Sequence, residues 1–415
     1  MSQHKSSWHL WDRFGIELEY MIVDKDSLRV LPRVDVLLGK DKNGNFISDT
    51  EHGPVGLSNE LVSHILEFKC AEPVASFDGW SSLFHKEVQD ANRKLASING
   101  MLLPGACHPF MDPLHETQLW PYDSNDIYET YNRIFNCKGH GWANLQSTHL
   151  NLSFYGDVEF GKLHAAVRLL LPLIPAIAAS SPYLDAEYKG FKDGRIETYR
   201  HNQEKIPSIT GMIIPEAVFS YAEYDRIIFE RIRQDIAPHD PEHLLNHFFL
   251  NSRGAIARFD RGTIEIRLVD IQECPLADIA IAEIELALLR LLVEETWTDQ
   301  AYQQSLDTIK LSELLLSIVR NAEDTIIDWP DYLKVFGYQG QRTTAKELWQ
   351  HIFASVKMRI SPSSRNILAS ILERGTLSSA LLRVLGKTPT RETLVHEYQK
   401  LAQCLARNEL YNPLL

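Results

Sequence analysis

Four short stretches combine acids, a histidine and an arginine at a spacing that suits cation and phosphate chemistry. In Gly15-Ile16-Glu17-Leu18-Glu19-Tyr20-Met21-Ile22-Val23, two glutamates stand two residues apart in an otherwise apolar run. Ser147-Thr148-His149-Leu150-Asn151-Leu152-Ser153-Phe154 alternates His149, Asn151 and Ser153 with Leu150, Leu152 and Phe154. Gly262-Thr263-Ile264-Glu265-Ile266-Arg267-Leu268-Val269 sets Thr263, Glu265 and Arg267 against Ile264, Ile266 and Leu268. More weakly, Ile65-Leu66-Glu67-Phe68-Lys69 pairs Glu67 with Lys69. If these polar faces share one hollow, Glu17, Glu19, Glu67 and Glu265 bring four negative charges, and Lys69 and Arg267 return two positive ones. An enclosed excess of that size is costly unless the acids take up protons or cations bind. Carboxylates with an imidazole or amide suit Mg²⁺ or Mn²⁺ better than a soft metal. Mg²⁺ at such a site keeps positions open for substrate oxygens, which points to phosphate and so to ATP. Neither GxxxxGK[ST] nor GxGxxG occurs, so a P-loop or Rossmann route is unsupported.

The elements that must carry these residues are strands. Side chains alternate across a strand, so i and i+2 share a face about 6.5 Å apart. A sheet with one wet face gives the same alternation anywhere. Two things set these faces apart: they hold Glu, His, Asn and Arg in place of the usual solvent-side Lys, Gln and Thr, and they adjoin Gly- or Pro-rich loops where sites are built.

Around them, apolar periodicity predicts a helix over 84–98 and an apolar helix over 161–180 bent at Pro172 and Pro175. Residues 104–126 read as loop, and 185–215 as an irregular functional loop. Asp240 and Pro241 suit a helix start, and 276–296 a long apolar helix. Beyond 297 helical patterns follow one another without a convincing strand, and Thr344 with Glu347 fits a capping box. The expected organisation is a catalytic domain over 1–297 and an all-helical region over 298–415, either a subdomain or a flank of the first.

The 415 residues carry a formal net charge of −13, which argues against nucleic-acid and membrane-surface binding. Five cysteines, an odd number with no CxxC, read as reduced thiols. The N-terminus MSQHKSSWHLWDRFG has no apolar core of a secretory signal, and the run 169–179 is too short to span a bilayer. A soluble, cytoplasmic protein is expected, with its oligomeric state open and a homo-oligomer among the options.

Taken in order, these motifs resemble the carboxylate–amine ligases related to glutamate–cysteine ligase type 2. The resemblance rests on Gly15-Ile16-Glu17-Leu18-Glu19-Tyr20, Val23-Asp24 and Leu31-Pro32-Arg33. It continues through Gly105-Ala106-Cys107-His108-Pro109-Phe110, Ser180-Ser181-Pro182-Tyr183, Thr198-Tyr199-Arg200 and Gly262 to Arg267, covering roughly residues 13–295. It implies an α+β fold like that of glutamine synthetase and the guanidino kinases, with an antiparallel sheet curved into a funnel-like site and helices outside. It implies that a small amino-acid carboxylate attacks the γ-phosphate of ATP, and that an amine then displaces phosphate from the acyl phosphate to form a γ-glutamyl-type amide. It further implies Mg²⁺ held by Glu17, Glu19, Glu67 and Glu265, with His149 touching metal or phosphate. Arg267 would lie by the transferred phosphoryl group, and Arg200 by phosphate or the substrate carboxylate. Asn151 stands where the family commonly has a second histidine, leaving a neutral ligand there. The text after Arg200, HNQEKIPSITGMIIP, also departs from the family, at a place suited to acceptor recognition.

Weaker signals surround this set. Arg258 flanks the last strand, within reach of a nucleotide phosphate, with Arg261, Lys189 and Lys192 as lesser candidates. Lys138-Gly139-His140-Gly141 reads as a plain loop. Asp270 reads as a turn or cap residue, and Glu283 and Glu285 as paired with Arg290 or solvated. His239, His243 and His247 lack the HExxH pattern, so a zinc hydrolase is a minor alternative. Two others stand beside the ligase: a small-molecule phosphotransferase on the same fold, and a catalytically silent nucleotide- or amino-acid-binding protein.

Overall fold

The computed structural model describes residues 8–412. The part of the signal-peptide reading that falls on residues 1–7 lies outside them. Strands β1 (Phe14–Asp24), β2 (Asp49–His52), β3 (Val55–Asn59), β4 (Ile65–Cys70), β5 (Gly100–Leu103) and β6 (Ser147–Ser153) form one sheet with two later strands. β7 (Tyr183–Leu184) and β8 (Glu187–Tyr188) make a separate hairpin; β9 (Ala255–Arg258) and β10 (Thr263–Asp270) complete the large sheet. Its order is β2-β3-β4-β1-β6-β10-β9, with β5 also on β1, and every pairing is antiparallel. The sheet is open, with β2 and β9 ending the order.

The alternation read from the sequence decides which face is dry. Phe14, Ile16, Leu18 and Tyr20 of β1, Leu150 and Leu152 of β6, and Ile264 and Ile266 of β10 are all buried in one core. The helices Trp80–Leu95, Gly156–Leu170 and Pro275–Val293 supply the other side of that core. Each such side chain contributes about 1.5–3 kcal/mol relative to exposure. The opposite face is polar only in part. Past Glu17 and Glu19, Met21 and Val23 are again buried, in a second cluster with Leu377, Leu381, Tyr398 and Leu401. The C-terminal helices Leu377–Leu385 and Arg391–Arg407 therefore cover the continuation of the face that carries the acids. Side chains from both sides of residue 297 also share the main core.

Several local expectations hold. The 161–180 helix is interrupted at its prolines, running Gly156–Leu170, a 3-10 turn Leu171–Leu173 and Pro175–Ala178. Thr344 and Glu347 form the capping box. Others are corrected. No helix starts at Asp240: its carboxylate accepts from the backbone N–H groups of Leu244 and Leu245 at 3.1 and 2.8 Å, and the next helix is His247–Leu250. The irregular stretch 185–215 contains the helix Gly194–Tyr199, capped by Asp193, and the loop 104–126 a turn of helix at Pro113–Glu116. The helical tail holds two short strands, β11 (Ile326–Ile327) and β12 (Thr343–Thr344). Glu285 is neither paired nor solvated: it is fully buried, and neither carboxyl oxygen has a hydrogen-bond partner. Glu283 accepts from the Ser361 backbone, and Arg290 stacks on Trp11 and Phe14. All five cysteines are free. Among the described residues, no helix is long and apolar enough to cross a membrane.

Candidate active site

Strand register brings the polar faces together. On β1, Glu17 stands opposite Lys69 of β4 and His149 of β6, and Glu19 stands opposite Glu67. On β10, Glu265 stands opposite Asn151. Four adjacent strands, β4-β1-β6-β10, thus present one continuous acidic patch. His149 is its hub: Nδ1 lies 2.9 Å from Glu17 and 3.9 Å from Glu265, while Nε2 lies 3.8 Å from Glu19. Two groups have ligand atoms mutually within 4.8 Å, Glu17–His149–Glu265 and Glu19–Glu67–His149.

Glu17, Glu19 and Glu67 are held in place by hydrogen-bond donors, and Glu265 by an ion pair. Ser147 donates its backbone N–H and its hydroxyl to Glu19 at 2.7 and 2.9 Å. Ser58 donates to Glu67 at 2.6 Å, and Lys69 reaches Ser58 at 2.8 Å, Glu67 at 3.3 Å and Asp49 at 2.6 Å. The Asn151 amide donates to Glu17 at 3.1 Å. Arg267 places Nε 3.1 Å from Glu265.

The electrostatics fit cation binding. Burial, then repulsion by Glu265, pushes the Glu17 carboxyl up to about 7. Burial also raises Glu19 and Glu67, with Glu67 adding to the first and Glu17 to the second. Burial would raise Glu265 too, but Arg267, then His149, Arg258 and Arg261, hold it below its ordinary value. Burial depresses His149, so the imidazole favours the neutral form that ligates metal. A dense set of oxygen donors with one neutral imidazole, most of the acids reluctant to ionise, is the donor chemistry of a hard divalent cation.

Beside the patch opens a cavity of ≈ 400 Å³, within the range of small-molecule sites. Its floor includes Glu19, Ser147, His149 and Arg267; Tyr128, Tyr131, Trp142 and Phe249 line its wall. Two lining residues escaped the sequence reading. Glu60 follows β3 outside any alternating run, and its carboxyl lies well above its usual range through burial and the charges of Glu19 and Glu67. Arg195 is buried, with Nε 2.5 Å from Asp270. Asp270 is accordingly a buried ion-pair partner and not a turn or cap residue.

The structure does not bring every candidate into the cavity. Arg200 is held by both carboxyl oxygens of Glu197 at 2.8 and 2.9 Å and is not among the lining residues. Arg258 pairs with Asp260 and stacks on Phe249. Lys189 pairs with Asp185 and Glu187, and Lys192 with Glu323 and Asp324. Gly141 lines the cavity from the short helix His140–Ala143, so the plain-loop reading of 138–141 holds only for its first two residues. His239, His243 and His247 form no ligand cluster among the described residues; His247 packs on Phe229.

Comparison with known sequences places the family. Residues 13–322 match glutamate–cysteine ligase family 2 (GCS2). The chain belongs to this family. The GCS2 match takes in every strand of the acidic patch and ends beyond residue 297. An uncharacterized protein of Archaeoglobus fulgidus is 31% identical over 402 residues, covering 96% of this chain and 99% of the relative. Among solved structures, the glutamate–cysteine ligase of Francisella tularensis in complex with AMP superposes with a TM-score of 0.57 at 11% identity, covering 97% of this chain and 89% of that one. A bifunctional glutathione synthetase of Pasteurella multocida gives 0.63 at 13% identity, covering 96% of this chain and 53% of that one. These last two are likenesses of fold.

Proposed function

We propose that this GCS2 chain is an ATP- and Mg²⁺-dependent carboxylate–amine ligase. It would join a small amino-acid carboxylate to an amine through an acyl phosphate, as a γ-glutamyl-type amide. The observation that carries this reading is the convergence of Glu17, Glu19, Glu67 and Glu265 on His149, beside a cavity floored by Arg267. In this reading Glu17, Glu265 and His149 hold one divalent cation and Glu19, Glu67 and His149 the neighbouring position, with Glu60 adding charge beside it. Bound Mg²⁺ would neutralise the triphosphate and polarise the γ-phosphoryl group.

The chain's own residues do the rest. Phosphoryl transfer asks for positioning and charge neutralisation more than covalent help. Arg267, fixed against Glu265, offers a planar fork to the oxygens of the group in flight. Ser147, Ser58, Lys69 and Asn151 hold the carboxylates still, so little reorganisation is needed at the reacting moment. The substrate carboxylate gains the phosphoryl group and ADP leaves; the amine nitrogen then bonds to the acyl carbon, phosphate departs and the amine loses a proton. The aromatic wall shields the acyl phosphate from water. Arg200 and Arg258, engaged by Glu197 and Asp260, receive no direct role in this scheme.

The test is an ADP-release screen of amino acids, starting with L-glutamate, against a panel of amines, with product masses recorded. ADP formed only with both partners, and a condensed product mass, supports the ligase. Sustained turnover with the carboxylate or the amine alone, building up a stable phosphorylated product in excess of the enzyme, rejects it in favour of a phosphotransferase.

A further inference from the structure

Register shifts where β10 meets the catalytic face. Ile266 stands opposite Leu150, but Val269 opposite Thr148, so Arg267 and Leu268 sit in a bulge. A bulge re-aims a side chain and takes its backbone out of the ladder. Something else must then hold that backbone. The Arg267 N–H donates to the Gly254 carbonyl at 2.9 Å. Gly254 also makes room for the second bulge residue: a Cβ there would stand 2.7 Å from Leu268 Cδ1. The Arg267 carbonyl accepts from Nη1 and Nη2 of Arg195, both at 3.2 Å.

Arg195 is itself fixed on every side. It is 2% exposed, its Nε binds Asp270 and its backbone N–H donates to Ser181 Oγ at 3.0 Å. Asp270 in turn accepts from the Ser180 N–H and the Ser181 hydroxyl, each at 2.8 Å. Gly194 lets the chain press against the Ser181 carbonyl, 2.6 Å from where a Cβ would be. Stability alone does not call for this arrangement, because apolar replacements of buried ion pairs are often neutral or stabilising. A guanidinium with both terminal nitrogens on one carbonyl at the floor of the cavity is a clamp on geometry.

We infer that Arg195 is the positioning residue of Arg267: with Asp270 it locks the bulge that turns the Arg267 guanidinium into the cavity. The part given to Arg267 rests on the ligase reading above; the lock itself does not.

Two variants test it. Arg195→Lys keeps the charge but not the fork, so it cannot hold the carbonyl and Asp270 together. The pair Arg195→Met with Asp270→Asn removes both charges and guards against a fold lost to an unpaired acid. Each is made with Arg267 present and with Arg267→Ala, and kcat and KM for ATP are read from ADP release. Hydrogen exchange is followed over residues 263–270 and over the helix 275–293. Each variant is expected to lower kcat about tenfold or more when Arg267 is present and less than about twofold when it is absent, the non-additivity of residues acting through one another. KM for ATP stays within about twofold, since an interaction made mainly in the transition state is lost. Exchange rises over 263–270 and not over 275–293. Equal losses in both Arg267 backgrounds, or exchange unchanged over 263–270, would overturn the inference. If the wild type releases no ADP with any substrate pair, the ligase reading fails and the exchange result alone decides the lock.

Discussion

Glu285 gives a prediction with a calculable size. It sits inside the helix Pro275–Val293, fully buried, with no hydrogen bond to either oxygen, and burial pushes its carboxyl from 4.5 up to about 8. In the folded chain it is therefore neutral at pH 7, whereas in the unfolded chain it ionises above pH 4.5. The folded state binds the extra proton across that window, so stability is full below pH 4.5 and falls as pH rises towards 8. At about 1.4 kcal/mol per unit, the loss at pH 7 is roughly 3 kcal/mol. Glu285→Gln keeps the shape of the neutral acid and removes the titration. Urea unfolding followed by tryptophan fluorescence and by circular dichroism, at several pH values from 5 to 8, should show a midpoint advantage for the variant that widens steadily with pH. The m-value should stay constant, showing that the same transition is compared. An advantage independent of pH, or a variant less stable than wild type at pH 7, would mean that the carboxylate is ionised and partnered in the fold, and the reasoning would fail.

Other consequences follow from the same physics. His164 stacks on Phe160, and burial, then Arg168, depresses it to about 3. Burial likewise lowers His64 and His108 to about 4. These folded values lie below the unfolded value of 6.5, so their stabilisation is present above pH 6.5 and is lost as pH falls towards 3. His164→Phe should flatten the acid-unfolding profile by about one proton, and an unchanged slope would show that the ring already carries charge. Asn151→Ala frees one oxygen of Glu17, and the Mg²⁺ concentration for half-maximal ADP release should rise about tenfold. An unaltered Mg²⁺ dependence would remove Asn151 from the support of the metal site.

Much of the site was legible because strand alternation is local. Glu17 with Glu19, His149 with Asn151, and Glu265 with Arg267 declare their shared faces within a few residues, and one dry core behind the sheet forces those faces to the same side. Charge excess then suggests the cations without any distance being known. What escaped was non-local. Glu60 lies past the end of β3, where alternation gives no guidance, and only tertiary packing sets it by Glu19 and Glu67. Arg200 stood in a motif, yet the helix Gly194–Tyr199 places Arg195 towards the cavity and leaves Arg200 to Glu197 one turn on. Asp240 shows a different failure: its side chain satisfies two backbone donors as an N-cap would, but the chain after it makes a turn. The helix at 125–135 went unread beside a loop assignment, although three of its residues, Thr130, Tyr131 and Ile134, are spaced for one buried face.

The claim beneath all of this is that the acids gathered on β1, β4 and β10 around His149 hold divalent cations for ATP turnover. Mg²⁺-dependent ADP release by wild type and by Glu265→Gln, with L-glutamate and the amine panel present, tests it directly. Release should require Mg²⁺ in the wild type and fall about a hundredfold or more in the folded variant, comparable to removing one electrostatic stabiliser of a transition state. Equal release by both proteins, or release unaffected by chelating Mg²⁺, would contradict it.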